Sequence, residues 1–182
     1  MGRHVSEIGR VTALAVVLAA YSVPAVVALG ANPDSASVTE MRQIKKFVSV
    51  EVQTQGTAEK IGLASADLTD LTRVLFLKKV PGLPLEGSTG PSGDGTEPLS
   101  QLGFLTCEVW TVGEQQIVAY HIDCNAGSYI TPRTPGSLWN RAILGYGPKE
   151  EVSEAVRKGL RTMVELFGTT FSEARAGNGG GR

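Results

Sequence analysis

The stretch that decides the fold is residues 104–130: FLTCEVWTV (104–112), GEQQ (113–116) and IVAYHIDCNAGSYI (117–130). The two outer pieces are rich in β-branched and aromatic residues. A short polar insert with one glycine separates them, which is the pattern of a β-hairpin. Pairing Val112 with Ala119 puts Thr111 opposite Tyr120, Val109 opposite Ile122 and Cys107 opposite Cys124. One register thus gathers the apolar set on one face and sets the two cysteines side by side. Directly opposed residues hold their Cβ atoms ~4.5–5.5 Å apart, so a Cys107–Cys124 disulfide is reachable with modest adjustment. It would close a loop of about 17 residues and stabilise the fold by roughly 3 kcal/mol in the chain-entropy picture. The competing reading is two buried free thiols. The compartment weighs between them, because disulfides persist in exported proteins.

The amino end speaks for export. Arg3 and Arg10 precede an apolar run at residues 12–31, and no charge occurs from Val11 to Pro33. A basic lead, an apolar middle and small residues at the end are the layout of a secretory signal. Ala28 and Gly30 occupy the small-residue positions, so cleavage after Gly30 is the expectation, with Pro24 breaking the helix upstream. The alternative is an uncleaved membrane anchor, because residues 12–31 approach the ~20 apolar residues that span a bilayer. In both cases the basic end stays cytoplasmic and the rest crosses. No cysteine follows the apolar run, and no twin arginine precedes it.

Outward from the hairpin, the chain divides as follows. Residues 1–31 are the signal peptide or anchor, and the polar residues 32–43 read as a linker. Residues 44–174 form one α+β periplasmic domain, and residues 175–182 (RAGNGGGR from Arg175) are a flexible tail. Within the domain, Val48, Val50 and Val52 alternate with Ser49, Glu51 and Gln53, the signature of a half-buried strand. Residues 53–63 read as a loop. A helix then starts near Ser65 as N-cap, with Asp67 in its first turn. Leu68, Leu71, Val74 and Leu75 form its apolar face, and Pro81 stops it. Residues 87–98 (GSTGPSGDGTEP) read as a long mobile loop, with neither the lysine nor the helix a phosphate cradle needs. Residues 131–137 are a further loop, and residues 138–144 read as a short edge strand. Pro148 opens the last helix, with Glu150 and Glu151 at its dipole-favoured end. Val152, Val156, Leu160, Met163, Val164, Phe167 and Phe171 make its apolar stripe. The order is β-α-β-β-(β)-α: an antiparallel sheet with two helices on one face, preceded by an apolar helix.

Charge excludes one class of partner. The chain has 17 basic and 18 acidic residues, and removing residues 1–30 leaves 15 against 17. A near-neutral domain has no electrostatic reason to bind nucleic acid. Catalytic machinery is not expected either. His121 is the only histidine after the apolar run. It shares a strand face with Asp123, Glu108 and Trp110, and reads as a solvent-facing side chain beside a carboxylate. One histidine and two paired cysteines make no zinc site, and no Gly-x-Ser-x-Gly elbow occurs. No cofactor, metal or catalytic residue is therefore assigned. Trp110, Tyr120, Trp139 and Tyr146 are the candidate interaction surface, since aromatic side chains anchor interfaces; the competing reading is that such rings cover the sheet or plug the core.

The exported start, the strand at residues 47–52, GLASADLTDLTRVL at residues 62–75, the hairpin, Trp139 and the last helix together carry a resemblance. The layout resembles small Gram-negative periplasmic proteins with a swivelling, anticodon-binding-like α/β fold. The amino-terminal domain of TolB and the lipopolysaccharide-assembly lipoprotein LptE are similar in layout. The resemblance is one of pattern over residues 47–174, and no functional residue travels with it. The expected function is a non-catalytic periplasmic binding or assembly protein of the cell envelope, with a protein partner there. The alternative is a single-span accessory subunit of an inner-membrane complex (respiratory, photosynthetic or transport), held in the membrane by residues 12–31 with its domain on the periplasmic side.

Overall fold

The hairpin forms in the register its residues dictate. In the computed structural model, which describes residues 26–28, 33–86, 97–113 and 115–177, two antiparallel strands pair Val112 with Ala119, Val109 with Ile122 and Cys107 with Cys124. The cysteine sulfurs are 2.03 Å apart, a disulfide with both residues buried. Around the hairpin the chain runs β1 (Val26–Ala28), α1 (Ser35–Gln43), β2 (Lys46–Gly56), α2 (Ser65–Lys79), β3 (Leu102–Val112), β4 (Ile117–Thr131), β5 (Thr134–Pro148) and α3 (Lys149–Ala176). The class is α+β, and the sheet order is β1-β5-β4-β3-β2.

Alternation decides which strand residues meet the helices. Leu105, Cys107, Val109 and Thr111 of β3 are buried, as are Val118, Tyr120, Ile122, Cys124 and Ala126 of β4. Against this face lie α2 and α3. All seven residues expected in the α3 stripe are buried. The helix comes close to the sheet at Gly159, where an added Cβ would sit 2.5 Å from Ile122 Cδ1. The centre of the core is aromatic. Phe47 meets Phe76 at 4.7 Å, Phe171 at 5.6 Å and Phe167 at 6.0 Å between ring centroids, all edge-on. Edge-on pairs suit the ring quadrupole. From α1 onward, the core cluster runs from Met41 to Ala174.

Several expectations are corrected. The sheet is mixed, because β2 and β3 pair in parallel. A parallel pair needs a long crossover, and α2 with the residues around it supplies one. The stretch read as a linker holds α1, a nine-residue helix whose only buried residue is Met41. Too few apolar side chains mark it in the sequence. Its N-cap is Asp34, whose Oδ1 accepts from the Ser37 N–H at 2.7 Å; this bond holds the Asp34 carboxyl below its ordinary range. α1 is also tied to α3, with Arg42 Nε donating to the Ala174 carbonyl at 2.5 Å and Arg175 Nη1 to the Ile44 carbonyl at 3.0 Å. Those two bonds draw residues 174–175 into the domain, and α3 itself runs to Ala176. β2 continues to Gly56, into the stretch read as loop, and Val48 and Ser49 are buried as well as Val50. On α2 the buried face is Leu68, Thr72 and Phe76, whereas Val74 is exposed. Ser65 is the first residue of that helix, and Ala64 holds the N-cap position. β5 spans fifteen residues and starts right after Arg133, in place of a loop and a short strand. Pro148 ends that strand at the N-cap of α3.

The two edges of the sheet differ in what satisfies them. On β2, the Val52 N–H donates to Thr69 Oγ1 at 2.9 Å. The Val52 carbonyl accepts from Ser65 Oγ and from Thr69 Oγ1, and the Val50 carbonyl accepts from Arg73 Nε at 3.0 Å. Phe47 exchanges backbone bonds of 2.9 Å with Pro84 and Glu86 around a bridge to Leu85. On β5, among the described residues, a strand partner on the outer side occurs only at Ala142, Ile143 and Leu144, which pair with Ala28, Val27 and Val26 of β1. The expected apolar helix at residues 12–31 lies largely outside the described residues; its described part, Val26–Ala28, is extended. Among the described residues no helix is long and apolar enough to cross a membrane. Residues 87–96 of the expected loop and residues 178–182 of the tail also lie outside the described residues.

Candidate functional site

The sheet face turned away from α2 and α3 carries the candidate site. It has three zones, set by the same alternation that built the core. At one end Phe104 packs edge-on against Tyr129, 5.4 Å between centroids, and is buried. Burial, with the nearby Glu51 charge as a second cause, pushes the Tyr129 phenol above its ordinary range. The middle is polar. Glu108 lies opposite Asp123, and Asn140 Nδ2 donates to Asp123 Oδ1 at 2.6 Å. Ser137 Oγ donates to Asn125 Oδ1 at 2.8 Å, completing this band.

The far end is apolar and open. Trp110, Val112, Ile117, Leu144 and Tyr146 are each more than half exposed. Pairing places Trp110 opposite His121, His121 opposite Leu144, Val112 opposite Ala119, and Ala119 opposite Tyr146. These residues therefore form one continuous surface across three strands. A shallow depression of about 280 Å³ lies among Trp110, Val112, Ala119, Tyr120, His121 and Leu144. His121 is half-buried here, between Trp110 and Leu144, with Asp123 engaged by Asn140. Among the described residues no group of three or more histidine, cysteine or acidic side chains is placed to hold a metal.

The four aromatic residues expected to form an interaction surface are split by the fold. Trp110 and Tyr146 share the open end. Tyr120 and Trp139 face the helices and are buried. The Tyr120 ring comes against Gly145, where an added Cβ would sit 2.4 Å from its Cζ. Burial pushes its phenol above the ordinary range. Trp139 packs edge-on against Phe167 at 5.3 Å, and among the described residues no acceptor meets its indole N–H. Tyr120 shares strand parity with Ile122 and Cys124, so its inward position was readable. Trp139 had no such marker, because its strand neighbour was unknown. Val112, Ile117 and Leu144 complete the open patch. Their signal is parity with Trp110 and His121, on the face opposite the cysteines.

No protein-family model matches the chain, and no curated protein matches it in sequence. Among solved structures, the chain is similar to PelC dodecamers from Paraburkholderia phytofirmans. A point-variant form is 8% identical with a TM-score of 0.47, over 78% of this chain and 96% of that one. A second PelC dodecamer from the same organism is 7% identical with a TM-score of 0.45, over 81% of this chain and 97% of that one.

Proposed function

We propose that this chain is an exported periplasmic protein that acts by binding rather than by turnover, as a binding or assembly component of the cell envelope. The observation that carries the reading is the apolar end of the open sheet face. Five large apolar side chains stand exposed there on a disulfide-tied hairpin and its neighbour strand. Contiguous exposed apolar patches mark interaction sites, because single scattered ones suffice to explain ordinary surfaces. Trp110 and Tyr146, on its two flanking strands, are of the types that anchor interfaces. The basic lead and apolar run at the amino end supply the export half of the reading.

The test uses the chain expressed from its own precursor in a Gram-negative host. Intact mass is expected to show a start at Ala31; a start at Met1 would support the membrane-held accessory subunit instead. A photo-crosslinking amino acid at position 110 or 146 is expected to give a discrete adduct with an envelope protein. The same group at position 154, on the exposed side of α3, is expected to give none. Equal adducts at all three positions, or none at 110 and 146, would remove the open face from the reading.

A further inference from the structure

We propose that export uncovers the outer edge of β5, and that β5 of a second copy of this chain takes the place of β1 there. The inference rests on the export reading above and goes beyond it. Val26–Ala28 is asked to do two things at once. It is the strand that caps β5, and it lies inside the apolar run at residues 12–31. Cleavage after Gly30 removes it. Spanning also withdraws it: residues 12–25 alone would make a helix of about 21 Å, short of the ~30 Å hydrocarbon core. Either fate of the exported segment leaves residues 142–144 without their partner. A core that runs from Met41 to Ala174 remains in place when β1 leaves.

The uncovered edge is built to pair. Residues 142–146 read AILGY, with no charge and no proline. Protected edges use lysines, prolines, inward charges or covering elements, and β2 is covered by α2 side chains and by Leu85. The strand seated on β5 in this structure is antiparallel and apolar. A second β5 offers the same chemistry in the same orientation. Two identical strands meet antiparallel about a two-fold axis, so one patch serves both sides. The uncharged stretch brings no like charges together in that pairing. Continuity adds the last argument. Leu144 and Tyr146 are exposed on the open face, at the border of the β5 edge. A two-fold there joins the apolar ends of two copies into one surface.

The experiment measures mass by light scattering on protein recovered from the periplasm, with intact mass reporting the amino terminus. The processed chain is expected at twice the protomer mass. A chain exported behind a separate cleavable signal, so that its mature form still carries residues 22–30, is expected at the protomer mass. The processed Leu144→Lys variant is also expected at the protomer mass, because two added charges would meet at the axis; position 144 is exposed, so folding is retained. Leu144→Cys is expected to convert most of the protein to a disulfide-linked pair on non-reducing gels. A processed chain at the protomer mass overturns the proposal. A dimer that survives both the retained strand and Leu144→Lys places the interface elsewhere and overturns it too, as does cross-linking of Leu144→Cys to a different protein. A start at Met1 sinks cleavage but not the uncovered edge, which Leu144→Cys then reads in isolated membranes.

Discussion

The two edges of the sheet solve the same problem with different means. β2 and β5 each present backbone groups that a neighbouring strand would satisfy. On β2 the groups go to side chains of a helix that is part of the core: Thr69, Ser65 and Arg73 of α2. The helix cannot leave without unfolding the domain, so that edge is closed for good. On β5 the partner among the described residues is the three-residue β1, from a segment whose expected fate is cleavage or withdrawal into the membrane. An edge closed by the core is structural, whereas an edge closed by a departing strand is conditional. The contrast teaches that satisfied hydrogen bonds alone do not say whether an edge is available; what matters is the energetic attachment of the group that satisfies them.

The largest expected effect tests that attachment directly. Phe47→Ala at the β2 edge removes a ring buried among Phe76, Phe167 and Phe171. It is expected to destabilise by about 3–5 kcal/mol in urea unfolding. Leu144→Ala at the β5 edge is expected to stay within about 0.5 kcal/mol in the monomeric state. Comparable losses at the two positions would break the comparison. Next in size is the Cys107–Cys124 bridge, which lies midway between the edges. Its replacement by two alanines is expected to lose roughly 3 kcal/mol. Hydrogen exchange is expected to rise across β3 and β4 alike; a rise confined to one edge would show that the middle of the sheet is not shared.

A smaller effect isolates the guard itself. Thr69→Val keeps shape and strips the hydroxyl that both accepts from and donates to Val52. The loss is expected at about 1–3 kcal/mol, the penalty of an unpaired buried group. The Val52 amide is expected to exchange faster; unchanged protection would mean that β2 is guarded by something other than α2 hydroxyls. The smallest effect is a pH dependence on the β5 side, from Tyr120 over Gly145. Burial raises its phenol above the ordinary 10.0. The folded state then holds that proton more tightly than the unfolded chain. Stability from this group is full below pH 10.0 and falls as pH rises through the folded value. Absorbance titration of the phenol, with Tyr120→Phe as reference, is expected to show a late-titrating group missing from the variant.

What the residues settled by themselves is local and periodic. The hairpin register follows from period-2 alternation and a short polar turn, and with it the Cys107–Cys124 pairing. The α3 stripe follows from 3.6-residue periodicity over a long run. The α+β class follows from the order of such segments. Tertiary structure decided everything that depends on neighbours distant in the chain. It made β2 and β3 parallel, turned Trp139 into the core against Phe167, and ordered α1 through contacts with α3 that nine weakly apolar residues do not announce. It set Val26–Ala28 against β5, in a segment whose composition speaks only of membranes. The reason is physical. Alternation and turn length constrain residues a few positions apart, where the backbone leaves few choices. Which strand lies beside which, and which face a helix covers, is chosen by burial summed over the whole core. No short stretch of the chain carries that sum.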